Sequence, residues 1–324
     1  MTGRGPTMLH VRLFGTTRVL DAARVLGPAD FGGVKPRRIL EALALHRGHQ
    51  VTKDRLVDVL WADRPPRNHV ATLESYVSLL RSRLQPGTTP RRSVIRTVPG
   101  GYLLDPIMVR SDLDQFDDLV ARAEATSGAL ARRLLEQASA LASGDLLAPP
   151  DETPWAEPVR ADYRQRAVRA ALRAAELALR DGAADAAARS AGRALGMDSL
   201  CEAAWRLVMR AHLATGRRDA ALRSYRSCRR LLATELGIDP APETRAVLVD
   251  LVRRSHGSWH GAKPEAGRVR RVADLGVVLD AAVDLFERGG TTGPDGGRDT
   301  DDLDHSARVM TALLRGAGVA SFSA

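Results

Sequence analysis

Cysteine is nearly missing from these 324 residues: there are two, Cys201 and Cys228. They fit no metal-ligand spacing and no disulfide framework. Both fall in helical patterns and read as small core residues. Lysine is almost as scarce, with only Lys35, Lys53 and Lys263. None follows a glycine, so the chain has no G-x-x-x-x-G-K-[ST] loop to cradle a nucleotide. G-x-S-x-G, H-E-x-x-H and paired-cysteine motifs are also missing, and these absences speak against an enzyme. His10, His46, His49 and His69 make no pair at metal spacing. No cofactor and no metal are expected. No run of about 18 apolar residues occurs, so no membrane partner is expected. No signal-peptide pattern opens the chain, and the cytoplasm is the expected compartment.

Acids are scarce in one place only. Residues 1–106 hold 17 Lys+Arg against 8 Asp+Glu, while the remainder holds 31 of each. The whole net charge of +9 therefore sits in the first third. A bias towards arginine would explain Arg over Lys, but not acids that fail to balance it in one region. Such a split points to an N-terminal segment that meets a polyanion and a neutral remainder that does not.

The patterning divides the chain further. "LHVRLF" alternates apolar and polar residues and reads as a strand. "TRVL" at 17–20 and a run near 24–26 are its candidate partners. "KPRRILEALALHRG" carries a helical stripe of Ile39, Leu40, Leu43 and Ala44, closed by Gly48. Thr52 can cap "TKDRLVDVLW". "ADRPPR" breaks the chain, and Asn68 can cap "HVATLESYVSLLRSRL". There Leu73, Val77, Leu80 and Leu84 recur at helical spacing. After Pro86-Gly87, "VIRTVPGGYLL" is two short β-prone runs around Pro99-Gly100-Gly101, a hairpin signature. Strands, three helices and a hairpin in that order describe a winged helix-turn-helix.

From about Asp112 to Arg254 the pattern is almost wholly helical, with breaks such as "RDGA" and "TGRRD". Stacked helical pairs of tetratricopeptide type are the natural reading. In one such pair, Trp205, Leu207, Val208, Ala211 and Leu213 would face Ala221, Leu222, Tyr225 and Leu232. The expected class is multidomain: an α+β winged helix-turn-helix over 1–106, then an all-α tetratricopeptide-like domain over 110–254. Residues 255–324 read as linker with two short helix candidates, 272–287 and 301–315.

The helix at 69–84 raises the functional question. Away from its apolar stripe it carries Thr72, Ser75, Ser82 and Arg83, with Glu74 as the segment's only acid. Phosphates repel carboxylates, whereas small hydroxyls and arginine let a helix backbone approach a major groove and still form hydrogen bonds. The alternative is a plain solvated helix. Asn68, at the start of this helix, joins the candidate DNA-binding face. Arg91, Arg92 and Arg96 flank the hairpin and are candidate phosphate or minor-groove contacts. Lys35 and Arg37 open the first helix, where phosphate contact is plausible.

These motifs, with "GRRDAALRSYRSCRRLLATELGIDPAPE" at 216–243, resemble the Streptomyces antibiotic regulatory protein family. Its members join an OmpR-type winged helix to a bacterial transcriptional activation domain. The resemblance covers about Leu9 to Arg254. It implies a transcriptional activator of an antibiotic or other specialised-metabolite cluster. It would bind double-stranded DNA at direct repeats, as a homodimer or tandem protomers, and recruit RNA polymerase. Thr97, Gly100, Gly101 and Tyr102 match the family's wing. Asp63, Arg64 and Arg67 occupy the loop that would face polymerase. Two positions depart from the family: Glu74 stands where Gln is usual and Leu79 where Arg is usual. Leu79 would meet a thymine methyl or else pack inward, and Glu74 would accept from a cytosine amino group. The competing reading is a tetratricopeptide-type adaptor whose winged helix binds protein.

Overall fold

Alternation of buried and exposed residues makes β1 (Leu9–Arg12) a half-buried strand, with Leu9 and Val11 inward. It pairs antiparallel with β2 (Arg18–Asp21), which pairs in turn with β3 (Arg24–Leu26). The computed structural model from which this is read describes residues 8–256, apart from 22–23 and 150–153. The chain divides into two compact units, one ending at Ser199 and one beginning at Leu200.

In the first unit, α1 (Val34–Leu45) buries the anticipated Ile39, Leu40, Leu43 and Ala44. It ends slightly before Gly48, with His46 as its C-cap. Strand β4 (Val51–Thr52) leads into α2 (Lys53–Trp61), where the Thr52 hydroxyl accepts from the Arg55 N–H at 3.2 Å. Helix α3 (His69–Leu84) follows, then the hairpin of β5 (Ile95–Val98) and β6 (Gly101–Leu104), in register Thr97↔Tyr102. Strand β4 adds to β6, giving the order β4-β6-β5. Gly101 permits this pairing, because a Cβ there would stand 2.2 Å from the Val51 carbonyl oxygen. Strand β7 (Val109–Ser111) returns parallel to β1, completing the sheet β3-β2-β1-β7.

Ser111 then caps α4 (Asp112–Glu124) in a capping box with Asp114. Helices α5 (Gly128–Leu141), α6 (Glu157–Arg180) and α7 (Ala184–Met197) follow, each packed against the one before. A continuous apolar core runs from Leu9 in β1 to Leu177 in α6. Its seam is polar as well as apolar. The Asp112 carboxylate accepts from the backbone N–H groups of Leu13 and Phe14, each at 2.9 Å. Burial pushes its pKa up and these N–H groups pull against that. Phe14, Phe116 and Tyr163 cluster with ring centroids 5.7–6.0 Å apart. Arg166 lies over two of these rings. Asp117 binds Arg47, Arg166 and the Tyr163 hydroxyl together.

The second unit contains α8 (Glu202–Ala214), α9 (Arg218–Leu236) and α10 (Pro242–His256). Leu207, Ala211, Ala221, Tyr225 and Leu232 are buried as the helical-pair reading expects. Val208 is only half-buried. Met209, one turn beyond Trp205, takes the inner position instead. Cys228 is buried, and desolvation pushes its thiol up to about 12. Cys201 is half-buried at the start of α8 rather than within the core. The helix candidates at 272–287 and 301–315 lie outside the described residues. Among the described residues, no helix is long and apolar enough to cross a membrane.

Candidate nucleic-acid interface

Helix α3 is held by its aliphatic stripe: Leu73, Val77, Leu80 and Leu84 are all at most 2% exposed. Shifting that stripe back by two residues turns it about 200° round a helix. The shift lands on Ala71, Ser75, Ser78 and Ser82, and all four are exposed. The outer face of α3 is therefore built from the smallest side chains, with Glu74 and Arg83 also exposed on the helix. The hydroxyls are turned back on the helix. Ser75 donates to the Ala71 carbonyl at 2.9 Å, Ser82 to Leu79 at 2.7 Å and Thr72 to Asn68 at 3.1 Å. The outward oxygens are free to accept, and a hydroxyl rotation would make them donors.

The hairpin is fixed against this helix by Arg81. Its Nε and Nη2 donate to the Ile95 carbonyl at 3.0 and 2.8 Å. Nη2 also reaches the Thr97 hydroxyl at 2.8 Å, and the guanidinium lies 5.8 Å from the Tyr102 ring centroid. Desolvation lowers the Arg81 pKa. Sequence reasoning misses Arg81. Its place beside Leu80 on the edge of the buried stripe was the available signal. Ser78 and Ala71 are missed too, although the same periodicity that gives the inner stripe gives them. Below the hairpin, Lys53 Nζ meets Glu74 Oε1 at 2.6 Å, and the Lys53 N–H donates to the Gly100 carbonyl at 3.0 Å.

The structure keeps some of the anticipated residues on this surface and removes others. Ser75, Ser82 and Arg83 are exposed on α3, and Thr72 is half-buried at the edge. Arg91 and Arg92 are exposed in a short 3-10 turn, Pro90–Arg92. Arg96 is exposed and pairs with Asp105 at 3.3 Å. Thr97 is exposed but serves Arg81. Lys35 is half-buried, with Nζ 4.7 Å from the Trp61 ring centroid. Asp63, Arg64 and Arg67 are exposed in the loop before α3.

Four residues are corrected from contact to packing, and one loses a capping role. Arg37 is buried, with its Nε 3.4 Å from Glu41, which also accepts from Thr17 at 2.6 Å. It belongs to the interior of the winged helix. Tyr102 is 4% exposed, and burial raises its hydroxyl pKa. Gly101 is buried against β4. Leu79 is half-buried, with its side chain packed over Gly32. Asn68 is exposed at the start of α3, but its side chain makes no capping hydrogen bond.

Residues 33–104 match the family described as "Transcriptional regulatory protein, C terminal", and residues 111–251 match "Bacterial transcriptional activator domain". The chain is 32% identical to the regulatory protein AfsR of Streptomyces griseus over 72% of its own length, but spans only 24% of AfsR. Against EmbR of Mycobacterium tuberculosis the identity is 30%, covering 70% of this chain and 60% of EmbR. Against the regulatory protein DnrI of Streptomyces peucetius it is 28%, covering 69% and 85%. The structure of Mycobacterium tuberculosis EmbR in complex with a low-affinity phosphopeptide superposes with a TM-score of 0.63 at 26% identity. That match covers 87% of this chain and 71% of EmbR's. With these two domains in this order and these relatives, the chain belongs to the Streptomyces antibiotic regulatory protein family of transcriptional regulators.

Proposed function

We propose that this regulator binds promoter DNA by laying α3 in a major groove and the β5–β6 hairpin along the adjacent backbone. The observation that carries this is the outer face of α3. Ala71, Ser75, Ser78 and Ser82 are exposed in a row on a rigidly seated helix, within a winged helix that holds all the chain's excess positive charge. A helix that meets only water has no reason to keep its outer side chains this short. One that must bring its backbone close to base edges does. Arg83, Arg91, Arg92 and Lys35 supply phosphate contacts, and Arg81 holds the wing at its working angle.

Activation follows by recruitment. Copies on direct repeats about one helical turn apart would present their helical domains on one side of the duplex. The exposed Asp63, Arg64 and Arg67 loop, next to α3, is the surface offered to RNA polymerase. The target would lie among genes of an antibiotic or other specialised-metabolite cluster, a reading that the family membership supports. Nothing in this scheme needs chemistry: the protein adds binding free energy to a polymerase–promoter complex.

The test is selection of bound sequences from random double-stranded DNA, repeated at two salt concentrations. Enrichment of a tandem motif is expected. With about four phosphate contacts, the affinity should fall with a log–log salt slope near −3 to −4. No enrichment and a flat salt response would transfer the reading to a protein-binding adaptor.

A further inference from the structure

We infer that Lys53 is a positioning residue that turns Glu74 into a reader of cytosine; the inference rests on the DNA-binding reading above. Glu74 is the one acid in α3 and is exposed on the same helix as the small-residue row. An unpaired carboxylate there would be pushed out of a groove by the flanking phosphates. Here it is not unpaired. Oε1 accepts from Lys53 Nζ at 2.6 Å, and Lys53 is anchored at the start of α2 with its N–H on the Gly100 carbonyl. The pair is neutral, and its geometry is fixed from the hairpin side.

Oε2 is left to accept one more hydrogen bond. In a major groove the donors are the amino groups of cytosine and adenine. Adenine presents its N7 acceptor beside the amino group, which repels a carboxylate. Cytosine has no such neighbour. Glu74 therefore selects cytosine, and Lys53 contributes without touching DNA itself. It cancels the charge that would drive Glu74 away and fixes the direction in which Oε2 points.

The experiment uses the full chain and its own selected sites, with Glu74→Gln, Lys53→Met and the double substitution measured against wild type. Glu74 is exposed and Lys53 half-buried, neither in the core, and circular dichroism checks that each variant folds. Glu74→Gln should bind within about threefold of wild type but lose a roughly tenfold cytosine preference at one position per repeat. Lys53→Met should weaken binding about tenfold, because it leaves the carboxylate unpaired. The double variant should recover the affinity of Glu74→Gln. A double variant as weak as Lys53→Met would overturn the inference, since Lys53 would then be a phosphate contact in its own right. An unchanged base preference in Glu74→Gln would overturn it equally. If wild type itself selects no sequence, it is the DNA-binding reading that fails, and the inference falls with it.

Discussion

Helices α3 and α7 are built from similar small residues turned opposite ways. In α7, Ala187, Ser190, Ala191 and Ala194 are fully buried, facing a partner helix, α6, whose own Ala167, Ala171, Ala174, Ala175 and Ala178 are fully buried. In α3 the large residues, Leu73, Val77 and Leu80, are inside, and Ala71, Ser75, Ser78 and Ser82 are outside. Small residues mark the side on which a helix backbone is approached most closely. For α7 the approaching object is in the same chain. For α3, on the reading proposed above, it would come from outside the chain, and the positive charge of residues 1–106 gives the sign it would carry.

The comparison breaks most easily at the inner stripes. Leu73→Ala removes a fully buried side chain that seats α3 on the winged helix. It should cost about 2–5 kcal/mol, read as a lowered denaturant midpoint. DNA binding should fall with the folded fraction and no further. Ala187→Leu does the reverse experiment in α7, forcing a large side chain between closely packed helices. A loss of about 1–3 kcal/mol is expected, with base preference in the selection unchanged. If Ala187→Leu altered base preference, the division of labour between the two helices would be wrong.

How much of this could be read without coordinates depends on scale. The aliphatic stripe of α3, the Thr52 cap and the Pro99-Gly100 hairpin are local patterns, and each stands where the sequence puts it. Strands β4 and β7 hold two and three residues, too few for alternation to register, and they exist because β6 and β1 offer edges. Arg37 and Lys35 look alike in sequence. What separates them is Glu41 and Thr17 on one side and the Trp61 ring on the other, partners that only the tertiary fold supplies. Arg81 likewise gains its role only when the hairpin folds back over α3. Ser78 is different: its periodicity was open to reading throughout.

Ser78 also gives the sharpest test of the outer face. Ser78→Leu adds bulk where the structure shows only solvent, so stability should stay within about 0.5 kcal/mol of wild type. Binding to a selected site should weaken about tenfold, the equivalent of roughly 1.4 kcal/mol, because the helix can no longer sit as deep. Titration by fluorescence anisotropy, paired with a thermal melt, reads both quantities on the same preparation. A helix facing water would keep its stability and its affinity alike.

The smallest effect belongs to Thr72→Val, and it fixes the edge of that face. Thr72 is half-buried, and its hydroxyl hydrogen already goes to the Asn68 carbonyl, inside its own helix. Valine keeps the shape and loses only that local bond, which tends to weaken a helix slightly rather than hold it. Stability should move by less than about 0.5 kcal/mol. Affinity should change less than about twofold, well under the tenfold unit of 1.4 kcal/mol. The informative quantity is the ratio of the two substitutions. If Thr72→Val shifts base preference more than Ser78→Leu weakens binding, then α3 is rotated in the groove by one residue, about 100°. The reading face would then run through Thr72 rather than Ser75 and Ser78. Side-chain exposure in the free protein would have misplaced the contact, and Glu74 would no longer lie where it could meet a base.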